Sequence, residues 1–209
     1  MTFACRRLAL RLLILLAAMH AESASADTEY YIGVFRPSIN VYYLFAPPDA
    51  GFPWGAPGDL PVVGNWDGIG ATTIGLYRPG TNTFYLRNSN THGVPDLIIP
   101  FGATDDIPIA GDWDGDGTTT IGLYRPGTNT FYLRNSNSHG PPDLTIPFGA
   151  PGDLPIVGDW DGNGTITIGV YRPDTSTFYL RNSNSYDVPD IISIFGAPGD
   201  IPVVGDWDG

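Results

Sequence analysis

A nine-residue turn between two apolar segments has the residue types and spacing of a site for a hard cation. In its sequence, DWDGDGTTT, carboxylates stand at positions one, three and five, a glycine at six, and threonines at seven and nine. Alternate side chains of such a turn converge, and Ca²⁺ takes oxygen ligands in this rhythm. Position nine offers only a hydroxyl or a bridging water, so we expect a modest affinity, about 10⁻⁴–10⁻³ M. The predicted ligands are Asp112, Asp114, Asp116, Thr118 and Thr120.

Two other copies of the turn differ in how many inward-facing oxygen ligands they keep. The copy at 159–167 keeps three inward oxygens, and its predicted ligands are Asp159, Asp161, Asn163, Thr165 and Thr167. The copy at 65–73 has Asn65 and Asp67 but Ile69 at position five, so we expect it to have lost the metal. Asp-Gly pairs also form ordinary hairpin turns. Because the alternate spacing is repeated, the pattern favours Ca²⁺ at the copies at 112–120 and 159–167.

These turns belong to a repeat of 47 residues. Trp66, Trp113, Trp160 and Trp207 follow one another at this interval, and residues 74–102 match residues 121–149 at all but three positions. A unit of this length cannot bury its apolar face alone and must stack on its neighbours. The chain is therefore predicted to be an array of similar units.

Each unit shows the period-two pattern of short strands. The segments 107–113, 119–125, 130–135 and 144–148 are rich in Ile, Thr, Tyr, Phe and Leu, and turns containing Gly, Pro, Asp and Asn separate them. Prolines and glycines leave no window for a helix of useful length. We predict an all-β fold, a β-propeller of about four 47-residue, four-stranded blades. A β-solenoid is the alternative.

The combination of a Phe-Gly pair and an Asp-x-Asp-x-Asp-Gly loop resembles the FG-GAP and VCBS repeat families. The pairs lie at 101–102, 148–149 and 195–196, and the resemblance covers the chain from residue 27 onward. It implies integrin-like, Ca²⁺-binding β-propellers in which the loop joins the innermost strand of a blade to the next strand outward. Repeats of this kind serve adhesion, glycan binding and the decoration of enzymes, so the resemblance leaves the function open.

The first 26 residues are predicted to be a secretory signal peptide. Arginines at 6, 7 and 11 surround or interrupt an apolar run, and Ala24-Ser25-Ala26 supplies a small-residue cleavage site. A membrane anchor is the alternative, although Arg11 interrupts the run that it would need. Residues 27–209 are then one repeat domain, secreted to the extracellular space or cell surface, with no membrane span after cleavage.

The composition of residues 27–209 favours cations as partners. This part has no cysteine and no lysine, so disulfides cannot stiffen it. Loss of residues 1–26, with three arginines and one glutamate, changes the formal charge from −12 to −14. A surface this negative argues against nucleic-acid binding, which requires a basic footprint.

The two ends of this domain are predicted to complete each other. When residue 27 is placed after residue 209, the 47-residue period continues across the junction. Segment 201–207 would then be the inner strand of a fourth blade whose other strands come from about 30–54, and Asp206, Asp208 and Asp27 would share a cation. A ring closed within one chain and a head-to-tail polymer both satisfy this. A truncated fragment of a longer array is the alternative.

The other recurrent residues are interpreted as architectural. The four tryptophans are predicted to pack between blades. Arginines of the YRP and LRN motifs are expected to pair with Asp59, Asp106, Asp153 or Asp200; they are Arg78, Arg125, Arg172, Arg87, Arg134 and Arg181. The outer turns 88–92, 135–139 and 182–186 combine amides with a ring, which suits sugar recognition as well as ordinary turns.

Catalysis is hard to build from these residues. Only His92 and His139 remain after signal cleavage, with no cysteine nucleophile and no Gly-x-Ser-x-Gly motif. The preferred interpretation is a secreted, non-enzymatic, Ca²⁺-binding repeat protein with a structural or adhesive role at the cell surface or in extracellular matrix, able to assemble head to tail into filaments. The alternative is a multivalent lectin that binds cell-surface glycans through the outer turns.

Overall fold

The computed structural model describes residues 33–44 and 51–205, and strands account for nearly all of their regular structure. Sheet 1 contains β1 (Gly33–Arg36), β2 (Val41–Leu44) and β3 (Gly51–Pro53). Sheet 2 contains β4 (Leu60–Gly64), β5 (Thr73–Arg78), β6 (Thr83–Leu86) and β7 (Leu97–Pro100). Sheet 3 contains β8 (Ile107–Gly111), β9 (Thr120–Arg125), β10 (Thr130–Leu133) and β11 (Leu144–Pro147). Sheet 4 contains β12 (Leu154–Gly158), β13 (Thr167–Arg172), β14 (Thr177–Leu180) and β15 (Ile191–Ile194).

The all-β prediction is confirmed, and each sheet is an antiparallel meander in chain order. In sheet 3, Phe131 of β10 lies between Tyr124 of β9 and Ile146 of β11, and the other sheets repeat this register. The helical turn Pro173–Thr175 is a single short 3₁₀ segment. No helix of the described residues has the length and apolar character needed to cross a membrane.

Successive sheets pack against each other through three similar cores. The first joins Tyr42 and Trp54 of sheet 1 to Leu76 of sheet 2, and the next two join sheets 2 and 3 and sheets 3 and 4 in the same way. The inner strand β8 lies beside both β4 and β12. The sheets are therefore arranged like blades, and the described residues form no core between sheets 1 and 4.

The tryptophans pack between sheets where a following sheet is present. Trp66 and Trp113 are each 3 % exposed, and their indole N–H groups donate to the carbonyls of Ile74 and Ile121 at 3.1 and 3.3 Å. Trp160 makes the equivalent bond but is only half-buried. The prediction is confirmed for Trp66 and Trp113, whereas Trp207 lies outside the described residues.

Close packing of the Trp113 indole requires a glycine at the end of β8, the strand that leads into the loop carrying this tryptophan. A Cβ built on Gly111 would lie 2.6 Å from both Ile166 and Trp113, whereas one on Gly127 would meet no atom within 4 Å. We therefore expect Gly111→Ala to destabilise the fold by about 1–3 kcal/mol through overpacking. Gly127→Ala, the matched control, should leave the urea midpoint nearly unchanged. Equal midpoints for the two variants would show that the indole does not occupy this position.

The predicted inner strand at 201–207 is not formed over the residues that the structure describes. Residues 201–205 carry no strand, and Ile201 and Val203 are 83 % and 72 % exposed. The equivalent strands β4, β8 and β12 each pair with the next strand of their own sheet. Among the described residues no such strand lies beside segment 201–205, so its backbone gains no ladder bonds there. The predicted signal peptide (1–26) and residues 27–32 and 206–209 lie outside the described residues.

Candidate metal centre

The loop between β8 and β9 brings three carboxylates together. One oxygen from each of Asp112, Asp114 and Asp116 lies within 4.8 Å of the others. The strands fix the two ends of the loop, because Gly111 and Thr120 pair in the ladder. Oxygen ligands at this separation, on a partly exposed loop, suit a hard divalent cation.

Backbone N–H groups hold this loop in its curled form. The carboxylate of Asp112 accepts from the amides of Gly115, Asp116 and Gly117 at 2.8, 3.1 and 2.7 Å. Gly117 has a φ of +90°, a backbone conformation that favours glycine. The first carboxylate therefore organises the backbone, and the turn holds the others near it.

Asp114 experiences the electrostatic consequence of this geometry. Partial burial raises the pKa of its carboxyl, and the nearby charges of Asp116 and Asp112 raise it further. Like charges that lie this close disfavour one another's ionised form. A bound divalent cation would remove this repulsion.

The loop between β12 and β13 has the same curl with one charge fewer. Asp159 accepts from the amides of Asn163 and Gly164 at 3.0 and 2.7 Å, and Asn163 Oδ1 accepts from Thr165 at 2.8 Å. The hydrogen bond from the Gly164 amide is the main reason that the pKa of Asp159 is lowered. Asp161 is exposed on the same loop. This loop presents two carboxylates and one amide oxygen.

The loop between β4 and β5, for which the sequence predicts a loss of metal, is built differently. Its single carboxylate, on Asp67, accepts from the amide of Ile69 at 3.0 Å, and Ile69 itself is 80 % exposed. The Asn65 amide group turns toward the carbonyl of Gly117 in the next loop, at 3.5 Å. Its side chain therefore contacts a neighbouring loop instead of closing its own.

The threonines at position nine are held by the strands. Thr120 and Thr167 are 3 % and 2 % exposed, and their hydroxyls donate to the carbonyls of Gly111 and Gly158 at 3.3 and 3.1 Å. Each hydroxyl proton is thus committed to the preceding strand. Thr118 and Thr165, at position seven, donate their backbone N–H groups to the residue at position five. The further predicted ligands Asp27, Asp206 and Asp208 lie outside the described residues.

Each loop is attached to the loop of the next sheet. Asn65 and Thr119 exchange two hydrogen bonds. The backbone N–H of Asn65 donates to Thr119 Oγ1 at 3.0 Å, and the backbone N–H of Thr119 donates to the carbonyl of Asn65 at 2.9 Å. The amide of Ile166 donates to Asp112 O at 2.8 Å in the equivalent place. A cation held in one loop would therefore also restrain the adjacent sheet.

The outer turns use many of their polar groups internally. The Asn137 side chain donates to the carbonyls of Trp66 and Thr119 at 3.0 and 2.8 Å, and Asn184 repeats this contact one sheet later. Arg134 binds the hydroxyls of Ser136 and Ser138. The ring of His139 remains exposed at the same turn. The side-chain amides of Asn137 and Asn184 thus join neighbouring sheets. Sequence reasoning missed this role because one carbonyl partner of each amide lies 71 residues away along the chain.

The arginines divide into two groups with different partners. Arg78, Arg125 and Arg172 pair with Asp59, Asp106 and Asp153, as predicted. The second group was predicted wrongly: Arg134 and Arg181 pair with Asp143 and Asp190 in their own turns, and Arg87 binds the Val94 carbonyl and two hydroxyls. The turn that joins the third and fourth strands of these sheets folds back over the arginine. The nearest carboxylate therefore lies in that same turn.

A cavity of about 430 Å³ lies between sheets 2 and 3. Its lining includes Asn82, Phe101, Arg125, Tyr132 and Gly140. The Arg125 guanidinium lies over the Tyr132 ring, 4.5 Å from its centroid. Sequence reasoning did not identify this cavity, whose walls come from residues far apart in the chain.

No protein-family model, curated protein or solved structure matches this chain. The resemblance to FG-GAP and VCBS repeats therefore rests on the Phe-Gly pairs and the aspartate loops alone.

Proposed function

We propose that this chain is a secreted, non-enzymatic, Ca²⁺-binding repeat protein with a structural or adhesive role at the cell surface or in extracellular matrix. The observation that carries the proposal is the convergence of the Asp112, Asp114 and Asp116 oxygens within 4.8 Å. In this proposal the four sheets are blades of an FG-GAP-like β-propeller. The second site is the loop at 159–167, which has the same backbone curl.

Bound Ca²⁺ would stabilise the fold through its position between strands. Its ligands lie on a loop that joins β8 to β9, and the carbonyl of Asp112 accepts a bond from sheet 4. Cross-linking by disulfides is unavailable to residues 27–209, which contain no cysteine. The metal would therefore take the place that disulfides occupy in many secreted domains.

Calorimetry with Ca²⁺ and with chelator tests the proposal. At about 10 mM Ca²⁺ and a dissociation constant of about 10⁻⁴–10⁻³ M, binding to the folded chain alone stabilises it by about 1.4–2.7 kcal/mol. For a domain of this size the melting temperature should rise by about 3–10 °C. An unchanged melting temperature in millimolar Ca²⁺ would remove the metal from the proposed function.

A matched pair of variants assigns the binding to one loop. Asp114→Asn removes a charge from the three-carboxylate cluster and should weaken Ca²⁺ binding about tenfold, which is about 1.4 kcal/mol. Asp67→Asn makes the same change in a loop with one carboxylate and should leave the affinity unchanged in isothermal titration. Equal effects of the two variants would show that general surface charge attracts the ion.

Glycan binding is the second candidate function, and the cavity between sheets 2 and 3 favours it. An aromatic ring, an arginine and an amide line this cavity, and the turn at 135–142 contributes to its wall. Binding on a glycan array should then be lost in Tyr132→Ala and reduced in His139→Ala. Tyr85→Ala, at the equivalent position of sheet 2, is the control. Absence of sugar binding by the unchanged chain would favour the structural role alone.

A further inference from the structure

The structure contains two halves of one sheet interface, and each half lies exposed. The repeated inner strands give the template: β4 pairs with β5, β8 with β9 and β12 with β13, in one register. Strands β1, β2 and β3 of sheet 1 are equivalent to the second, third and fourth strands of the other sheets. Within the described residues, no inner strand lies beside β1. Segment 201–205 has the sequence of an inner strand, IPVVG against LPVVG in β4, and is unpaired.

The ion pair of the repeat is divided in the same way. Arg78, Arg125 and Arg172 each bind a buried aspartate just before the inner strand of their own sheet. The equivalent arginine in sheet 1 is Arg36, which stacks on Tyr43 as the others stack on their tyrosines but is exposed. The equivalent aspartate is Asp200, which holds the turn amide of Ala197 at 2.9 Å and is also exposed. Each half has the charge that the other lacks.

The apolar faces of the two halves are complementary as well. Phe148 is 9 % exposed because it packs with Val170 of the following sheet, whereas its equivalent in sheet 4, Phe195, is 76 % exposed. Val170 is fully buried, whereas its equivalent in sheet 1, Val34, is 62 % exposed. A sheet 1 placed after sheet 4 would bury both side chains, as the internal interfaces do.

We infer that segment 201–205 of one chain adds to the free edge of β1 in a second copy, as the inner strand of its sheet 1, with Asp200 bound to Arg36 and Phe195 packed on Val34. The occupant is a second copy because one chain exposes both halves at once. The internal register predicts that Ile201 pairs with Phe35 and Val203 with Gly33. Strand addition of this kind supplies main-chain hydrogen bonds, and the flanking pockets supply specificity.

This assembly deepens the proposed structural role, because a heterologous contact that repeats from copy to copy builds a filament or a ring of chains. It uses none of the residues of the loop at 112–120. Failure of Ca²⁺ binding and failure of assembly are therefore separate results, and the measurements below are made both with Ca²⁺ and with chelator.

Charge reversal at the two half-sites tests the inference. Sedimentation velocity over a concentration series should show that the purified chain self-associates. Asp200→Arg alone and Arg36→Asp alone each place like charges at the interface and should weaken association at least about tenfold. Circular dichroism checks that both variants, which are changed at exposed side chains, remain folded. The double variant should associate like the unchanged chain.

Mixing the two single variants distinguishes contact between chains from closure within one chain. In the mixture every interface between unlike chains regains one positive and one negative partner, so association should return to that of the unchanged chain. Closure within a chain predicts monomers whose melting temperature falls in both single variants and is not restored by mixing, a result that would overturn the inference. A monomeric chain insensitive to both changes would overturn it too.

A second pair of variants examines the apolar contact. Phe195→Ser should abolish association, whereas Tyr186→Ser, at a side chain that is 77 % exposed on the same sheet, should not. Self-association that survives Phe195→Ser and both charge reversals would show that the chain uses another surface. That outcome contradicts the inference even if Ca²⁺ binding is confirmed.

Discussion

Trp113→Ala is expected to lower the free energy of unfolding by about 3–5 kcal/mol, because it removes a buried ring from the core between sheets 3 and 4. The ring is 3 % exposed and packs in one cluster with Tyr124, Phe131 and Ile168. Its loss also leaves the carbonyl of Ile121 without the indole N–H. Urea denaturation, followed by circular dichroism, measures the change.

Trp160→Ala is the matched control for this variant. Trp160 stands one repeat later and makes the same bond to a backbone carbonyl, but it is only half-buried. We expect a loss of stability less than half as large, because less apolar area is removed from the interior. Equal losses would mean that the indole acts within its own sheet and that stacking of successive sheets contributes little.

The strands and the inter-sheet tryptophans could be predicted from the sequence because both depend on local spacing. Alternation of apolar and polar residues gives the strands, and the predicted segment 107–113 became β8, Ile107–Gly111. The strand ends two residues early because Asp112 already folds back to bind the amides of its own loop. Bonds of this kind compete with the strand ladder and decide where it stops.

The ligand set of the metal loop was predictable only in part. Positions one, three and five converge because the turn is short and its glycines permit the curl. Position nine is the first residue of the next strand, so Thr120 faces the ladder and is buried. Pairing in the sheet decides this, and the sequence of the loop alone does not contain it.

Contacts between units were the least predictable. The bond between Asn137 and the carbonyl of Trp66 depends on how two sheets stack, as does the attachment of Asn65 to Thr119. Identical repeats give no indication of which neighbour a polar side chain will reach. The same limit explains the wrong partners assigned to Arg134 and Arg181, whose turns fold back over them.

Asp106→Ala is expected to destabilise the chain by about 3 kcal/mol, because it breaks a largely buried ion pair and a turn at once. Arg125 donates to both oxygens of Asp106 at 2.7 and 2.8 Å, and the amide of Ala103 donates at 2.7 Å. The Asp106 side chain is fully buried, whereas that of Arg125 is 31 % exposed and can turn to water. For this reason we expect a loss of stability at the low end of the about 3–5 kcal/mol that breaking a buried ion pair costs.

The repeat supplies the control for this prediction at Asp200. Its carboxylate holds the equivalent turn amide, from Ala197 at 2.9 Å, but within the described residues no arginine pairs with it. At a chain concentration low enough to keep the protein monomeric, Asp200→Ala should cost well under half as much as Asp106→Ala in urea denaturation. Equal losses for the two variants would assign the stability to the turn bond alone, and the arginine pairs repeated through sheets 2 to 4 would then contribute little to the fold.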